Sequence, residues 1–131
     1  MCGIVGHFAT DAGAMATSTL FELVQSVAHR GPDDSTFWQD GPFSFGHRRL
    51  SIIDLASGRQ PMASADGAIV ITYNGEIYNY LELRAELAAR GHAFRTKSDT
   101  EVLINGYRQW GIDLLLKLLG MFALAIADRS K

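Results

Sequence analysis

Several features are scarce in this chain of 131 residues, and each scarcity excludes a class of protein. The one cysteine, Cys2, cannot form an internal disulfide or a structural zinc site, which excludes a small domain stabilised by disulfides or zinc. No uncharged apolar run approaches the ~20 residues that a membrane span needs. The 12 Lys and Arg nearly balance the 14 Asp and Glu, so no basic surface predicts nucleic acid or anionic lipid as a partner.

The N-terminal segment also lacks a targeting signal. Its first charged residue is Asp11, and no basic stretch precedes the apolar residues as a secretory or transit peptide requires. We therefore expect a cytoplasmic protein. The length predicts a single domain, and 47% apolar residues suffice for a hydrophobic core. Because little follows the last core-type segment, we expect a domain truncated at its C-terminal end.

Short apolar and β-branched segments predict strands. Residues 35–39 and 43–49 flank Asp40-Gly41-Pro42, which is typical of a hairpin, and Ile52 and Ile53 extend the strand pattern. Apolar strands mixed with helices favour a layered α+β fold over a bundle. The predicted strands are residues 2–8, 35–39, 43–49, 68–73 and 121–127, with a shorter one around Phe94.

Capping signals and glycine stops predict the helices. Thr19 with Glu22 and Ser98 with Glu101 each form a potential capping box, and Asn79 with Glu82 suits another helix start. The predicted helices run from Thr19 to the Gly31-Pro32 stop, from Tyr80 to Arg90, from Ser98 to Gly111 and from Ile112 to Leu119, with a surface loop over 54–66.

Cys2 is the candidate nucleophile. A lone cysteine is most often a small buried hydrophobe. Cys2, however, follows the initiator Met1, and removal of Met1 would leave a free α-amine on the same residue as the thiol. That amine has an ordinary pKa of about 7.7–8.0 and the thiol about 8.5, so the amine can accept the thiol's proton near neutral pH. A retained Met1 would block this chemistry.

Asn74-Gly75 is the candidate oxyanion hole. A thiolate that attacks an amide needs donors for the oxyanion, and an asparagine amide beside a backbone N–H at the end of a buried strand can supply them. The alternative is a hairpin turn, for which Asn-Gly is a strong signal. The helix predicted from Asn79 argues against the hairpin.

Charged residues near strand and helix ends are candidates for substrate binding. Glu76 could equally be a solvated loop acid, and Asp99 could simply stabilise the start of its helix. Of Arg48 and Arg49, one facing inward could bind a carboxylate bidentately, although an ordinary strand-end charge pair is the alternative. The histidines show no metal-ligand spacing, and we predict no metal site.

Seven motifs in order resemble one family. Together they resemble the class II glutamine amidotransferase domain of glutamine-dependent asparagine synthetases, and they cover almost the whole chain. The resemblance implies an α+β fold, a four-layer αββα sandwich of the N-terminal nucleophile hydrolase type, with Cys2 on an inner strand. The motifs are CGIVG at Cys2, HRGPD at His29, RLSIID at Arg49, GRQPM at Gly58, NGEIYN at Asn74, SDTE at Ser98 and GMFALA at Gly120.

The resemblance also implies roles for individual residues. Cys2 would be the nucleophile, with the Asn74 side chain and the Gly75 N–H as the oxyanion hole. The loop from His29 to Asp33 would lie near the nucleophile. The substrate-binding residues would be Arg49 for the α-carboxylate of glutamine, Glu76 and Asp99 for its α-ammonium group, and Ile52 and Ile53 for the pocket lining through their backbone.

The implied reaction is hydrolysis of the glutamine side-chain amide to glutamate and ammonia. It needs no cofactor in this domain. The ammonia would pass to a synthetase domain or subunit that makes asparagine from aspartate with ATP and Mg²⁺, and that domain would be absent from residues 1–131. The alternatives are a non-catalytic docking module of the same fold and a hydrolase of another amide, and a homodimer also stays open.

Overall fold

Two antiparallel sheets form the centre of the fold. The computed structural model describes residues 2–11, 13–50 and 58–131. The first sheet contains β1 (Gly3–Phe8), β2 (Asp34–Asp40) and β3 (Phe43–Arg49) in the order β1-β3-β2. Gly41 turns the chain between β2 and β3 with a φ of 52°, and the predicted hairpin is confirmed.

The second sheet contains β4 (Met62–Ala63), β5 (Ile69–Ile77) and β6 (Gly120–Asp128) in the order β4-β5-β6. β5 is longer than predicted because it continues through Asn74 and Gly75, which pair with Ala123 and Phe122 of β6. The hairpin-turn alternative for Asn74-Gly75 is therefore wrong. β6 satisfies the backbone groups that a turn would have left to solvent.

The two sheets pack face to face through small and apolar residues. Phe45 of β3 is buried in one cluster with Val70 of β5 and Ala127 of β6. Gly6 of β1 leaves room for Ala125 of β6, because a Cβ at position 6 would already lie in van der Waals contact with it. Side chains alternate between the faces of a strand, so these contacts identify which residues point between the sheets.

Helices cover the outer face of each sheet. The helix α1 (Thr17–Ser26) packs on the first sheet, where the Val24 side chain occupies the space over Gly46. The helices α2 (Tyr80–Ala89) and α3 (Asp99–Trp110) pack with each other, and α3 packs on the second sheet. This arrangement confirms the predicted αββα layers. The main core includes Ile71, Tyr73, Ile77, Leu83, Leu87, Val102, Leu103 and Leu114.

The start of α1 differs from the prediction. The helix begins at Thr17 without a side-chain cap, so the predicted Thr19 and Glu22 capping box is wrong. The reason is a contact distant in sequence: the Gln39 amide of β2 donates to the Met15 carbonyl, and the Thr17 hydroxyl donates to Gln39. These bonds to β2 lie at the helix entry, two residues before the predicted cap.

The other two predicted caps are partly confirmed. Asn79 precedes α2, but its side chain bridges to the Lys117 carbonyl and the Leu119 N–H and makes no capping bond. Ser98 caps α3 by accepting from the Thr100 N–H. Glu101 does not complete a capping box with Ser98.

Glu101 instead accepts from the backbone upstream of α3. Its carboxylate binds the N–H groups of Arg95 and Thr96 and the Thr96 hydroxyl. The predicted strand around Phe94 is wrong, because this segment pairs with side chains of the helices and not with a strand. The Arg84 guanidinium lies 4.1 Å from the centre of the Phe94 ring, and Asn105 donates to the Ala93 carbonyl.

Three further predictions need correction. The predicted fourth helix is a 3-10 helix over Gly111–Leu116. The predicted surface loop over 54–66 contains β4 and the buried Ser64, while residues 54–57 lie outside the described residues. The strand over 121–127 is confirmed within β6, but its first half is exposed, with Met121 at 62%. Among the described residues, no helix is long and apolar enough to cross a membrane.

Candidate active site

The facing strands β3 and β5 bring several predicted site residues to one end of the sandwich. Phe45 meets Val70, and two residues further along each strand the buried His47 lies 3.3 Å from the Thr72 hydroxyl. The next residues on these two inner faces are Arg49 and Asn74. The strand register therefore directs both side chains toward the same end of the space between the sheets.

Cys2 lies beside this end. It is half-buried immediately before β1, and the Leu50 N–H donates to its Sγ over 3.5 Å. β1 pairs with β3 so that Gly3 is opposite Arg48, which places Cys2 level with Arg49 in the ladder. Opposite residues of an antiparallel pair point to the same face. Cys2 and Arg49 therefore share the inner face of the first sheet.

The two faces of β3 distinguish Arg49, which points between the sheets, from Arg48. Alternate residues of a strand share a face, so Arg49 lies on the same face as His47 and points between the sheets. Arg48 lies on the same face as Gly46, over which α1 packs. The Arg49 guanidinium reaches Gly58, where a Cβ would lie 3.3 Å from its Nη2 atom.

A buried histidine lies next to this arginine. Burial, together with the positive charge of Arg49, lowers the pKa of His47 to about 4, and the opposing effect of Asp34 across the ladder is smaller. His47 is therefore neutral near pH 7 and acts as a buried hydrogen-bonding partner for Thr72.

Gly75 permits a close approach of two strands. A Cβ at position 75 would overlap the carbonyl oxygen of Met121 and the Cα and Cβ of Phe122. A side chain there would force β6 away from β5. The peptide that joins Asn74 to Gly75 is thus held in a fixed position by the sheet, which is what a preorganised donor pair requires.

Asp99 lies on the other side of β5. It is the first residue of α3, and the Tyr73 hydroxyl donates to its Oδ2 atom over 2.9 Å. Glu76 is exposed on β5, opposite Met121, three residues beyond Tyr73. Burial raises the pKa of Tyr73 above its ordinary 10.0, and the Asp99 and Glu76 carboxylates raise it further. Both carboxylates are therefore close enough to the Tyr73 hydroxyl to affect its pKa.

The loop predicted to lie near the nucleophile packs against the ends of β1 and β3. The Asp33 N–H donates to the Arg49 carbonyl over 3.0 Å. Gly31 is buried where a Cβ would overlap the backbone of Arg48, and the Arg30 side chain packs beside Gly3. The glycine of HRGPD is explained by this close approach.

The structure accordingly places Cys2, Arg49 and Asn74 around one end of the inter-sheet space, with Asp99 linked to β5 through Tyr73. The predicted pocket residues Ile52 and Ile53 lie outside the described residues. Sequence reasoning missed Tyr73, because its place in an apolar strand indicates core packing. In the described part of the chain, no three His, Cys, Asp or Glu side chains are grouped as a metal site.

Comparison with known proteins decides the family. The sequence profile described as "Glutamine amidotransferase domain" matches residues 1–131, which is the whole chain. The chain is a glutamine amidotransferase domain. The asparagine synthetase [glutamine-hydrolyzing] 1 of Bacillus subtilis is 46% identical over 99% of the chain. An Arabidopsis thaliana asparagine synthetase [glutamine-hydrolyzing] 1 is 42% identical over 98% of it.

Solved structures support the fold of this amidotransferase domain. The glutamine phosphoribosylpyrophosphate amidotransferase from B. subtilis matches 69% of the chain with a TM-score of 0.56 and 27% identity, and the match covers 22% of that protein. The predicted α+β fold of the N-terminal nucleophile hydrolase type is confirmed. The domain spans 21% and 22% of the two asparagine synthetases, about a fifth of their length.

Proposed function

We propose that this amidotransferase domain hydrolyses the side-chain amide of glutamine with Cys2 as the nucleophile. The observation that carries the proposal is the placement of the half-buried Cys2, hydrogen-bonded by the Leu50 N–H, level with Arg49 and near the strand end that carries Asn74. A nucleophile, a cation for a carboxylate and an amide donor thus share one end of the inter-sheet space.

The first half-reaction forms a thioester. With Met1 removed, the α-amine of Cys2 accepts the thiol proton, and the thiolate attacks the side-chain carbonyl carbon of glutamine. The Asn74 amide and the Gly75 N–H stabilise the oxyanion of the tetrahedral intermediate. The C–N bond then breaks, the nitrogen takes the proton from the α-amine, and ammonia leaves.

The second half-reaction regenerates the enzyme. Water attacks the glutamyl thioester, the same amine assists the proton transfer, and glutamate leaves with the thiol restored. Arg49 binds the α-carboxylate of the substrate throughout, while Glu76 and Asp99 bind its α-ammonium group. Backbone groups of Ile52 and Ile53 line the pocket. One cation and two anions complement a free amino acid and not a residue within a peptide.

We further propose that the ammonia serves a synthetase domain or subunit, because the relatives are named glutamine-hydrolysing asparagine synthetases. The glutaminase reaction takes its nucleophile, base and donors from the protein, so we assign it no cofactor. ATP and Mg²⁺ would serve the synthetase, where aspartate is the acceptor.

A docking module is the second candidate, and one observation favours it. Large apolar side chains are exposed within residues 112–121, from the 3-10 helix to the start of β6, and exposed apolar patches often mark contacts between proteins. These side chains are Ile112 at 72%, Leu116 at 86%, Leu119 at 63% and Met121 at 62% exposure.

Replacement of the nucleophile tests the proposal. Cys2→Ala is expected to abolish ammonia release from glutamine while circular dichroism and the melting temperature stay close to those of the parent protein. Because the substitution removes only the sulfur, a folded but inactive variant assigns the chemistry to the thiol. Residual turnover in the variant would refute Cys2 as the nucleophile, and an inactive parent protein would favour the docking module.

A further inference from the structure

The Tyr73 hydroxyl and the Asp99 carboxylate form a hydrogen bond that joins the second sheet to the start of α3. Tyr73 is 3% exposed, and its hydroxyl oxygen lies 2.9 Å from Asp99 Oδ2. Ser98 already caps α3 through the Thr100 N–H, so the Asp99 carboxylate is not needed as the cap. The hydrogen bond between Tyr73 and Asp99 therefore has a role other than capping α3.

The direction of this hydrogen bond is fixed. Burial and the neighbouring Asp99 and Glu76 carboxylates raise the pKa of Tyr73, and a backbone hydrogen bond from Ile77 opposes the effect only in part. The phenol is thus always the donor and the carboxylate the acceptor. Because Tyr73 binds Oδ2, the Oδ1 atom of Asp99 has its direction set by a buried, rigid ring.

The chemistry of the partner matters for what Asp99 can bind. A lysine or arginine beside Asp99 would neutralise it and compete with any cationic ligand. A neutral phenol orients the carboxylate and leaves its negative charge in place. Glu76 adds a second negative charge near the same hydroxyl.

We propose that Tyr73 is a positioning residue that holds the Asp99 carboxylate in the orientation that binds the α-ammonium group of glutamine. This inference rests on the proposed function, and it adds a residue that does not itself touch the substrate. Tyr73 acts on the affinity for a free α-amine and not on the chemistry at Cys2, which lies on the other sheet.

The test compares two substrates that differ only in the α-amino group. For Tyr73→Phe, the KM for glutamine is expected to rise about three- to tenfold, because the Asp99 carboxylate loses its orientation but keeps its charge, with kcat within about twofold of the parent protein. Hydrolysis of 5-amino-5-oxopentanoate, which is glutamine without the α-amine, is expected to keep its kcat/KM.

Tyr107→Phe is the matched control. It removes another tyrosine–aspartate hydrogen bond made by α3, from the Tyr107 hydroxyl to Asp128 over 3.2 Å, at the opposite end of the helix. This variant is expected to leave the KM for glutamine unchanged. Asp99→Asn completes a double-mutant cycle, in which adding Tyr73→Phe is expected to raise KM no further, because the tyrosine acts through the aspartate charge.

The outcomes separate this inference from the proposed function. An inactive parent protein would overturn both. An active parent with an unchanged KM in Tyr73→Phe would overturn the positioning role alone, and so would equal losses on the two substrates or an effect that adds fully to Asp99→Asn. If Tyr73→Phe does not fold, the role is judged on Asp99→Asn, and an unchanged glutamine KM there overturns it.

Discussion

The Leu50 backbone N–H donates to the Cys2 Sγ atom across 3.5 Å, and this contact joins the start of β1 to the end of β3. This hydrogen bond fixes the position of the sulfur against the end of β3. The same contact keeps the sulfur beside Arg49, the residue that precedes Leu50. The geometry therefore links the proposed nucleophile to the cation that is proposed to bind its substrate.

Replacement of Arg49 tests the carboxylate site. Arg49→Ala is expected to raise the KM for glutamine about ten- to hundredfold, because a charge-assisted bond to the α-carboxylate is lost, with a smaller effect on kcat. Arg49→Lys keeps the charge but not the bidentate geometry and should recover only part of the affinity. Steady-state kinetics of ammonia release measures both.

Arg90→Ala is the control for this experiment. Arg90 forms an exposed ion pair with Glu86 on α2, and its loss is expected to leave KM unchanged. A KM for glutamine that stays the same in Arg49→Ala would contradict the proposed role.

The close contact of β5 with β6 predicts a large stability difference between two glycines. Gly75→Ala adds a methyl group that overlaps the backbone of Met121, and we expect a loss of about 3 kcal/mol or more in the free energy of unfolding. Gly91→Ala is matched in having a positive φ, 92°, but its Cβ meets open space, so about 1 kcal/mol is expected. Urea unfolding of the two variants gives the comparison, and equal losses would refute the close packing at Gly75.

The buried His47 predicts a pH dependence of stability. Its pKa is lowered from 6.5 to about 4 by burial, with help from Arg49 and opposition from Asp34. Between pH 6.5 and pH 4, His47 is protonated in the unfolded chain but stays neutral in the folded protein. The free energy of unfolding therefore falls as the pH drops from 6.5 toward 4, by roughly 3 kcal/mol in total from this group.

His47→Gln is expected to remove that decline, since glutamine does not titrate. His92→Gln, which replaces a histidine hydrogen-bonded to Gln109 at an exposed site, is the control and should retain the decline. Urea unfolding at several pH values between 4 and 7 measures the slopes. A decline that persists in His47→Gln would show that another group causes it.

Features with a local cause could be predicted from the sequence. The β2–β3 hairpin follows from Asp40-Gly41-Pro42, and the Ser98 cap follows from a side chain two residues from its partner. The start of α1 could not be predicted, because Gln39 fixes it from a distant strand. The same holds for the backbone near Phe94, which is held by the side chains of two helices.

The site residues also divide into those that the sequence indicates and those that depend on contacts between distant parts of the chain. The sequence indicated Cys2, Asn74 and two adjacent arginines as candidates. The residue pattern alone left Arg48 and Arg49 open, because that choice depends on which face of β3 meets the second sheet, and only the family resemblance favoured Arg49. Tyr73 was missed because a single apolar strand pattern does not show which helix end receives its hydroxyl.

The most direct test of a Cys2 nucleophile is the intact mass of the purified protein before and after treatment with an electrophilic glutamine analogue. We expect a mass without Met1 before treatment and a single adduct on Cys2 afterwards, with excess glutamine slowing the labelling. That result would show a free N-terminal nucleophile in a formed glutamine pocket. A retained Met1, or a Cys2 that stays unlabelled, would contradict the proposed glutaminase activity.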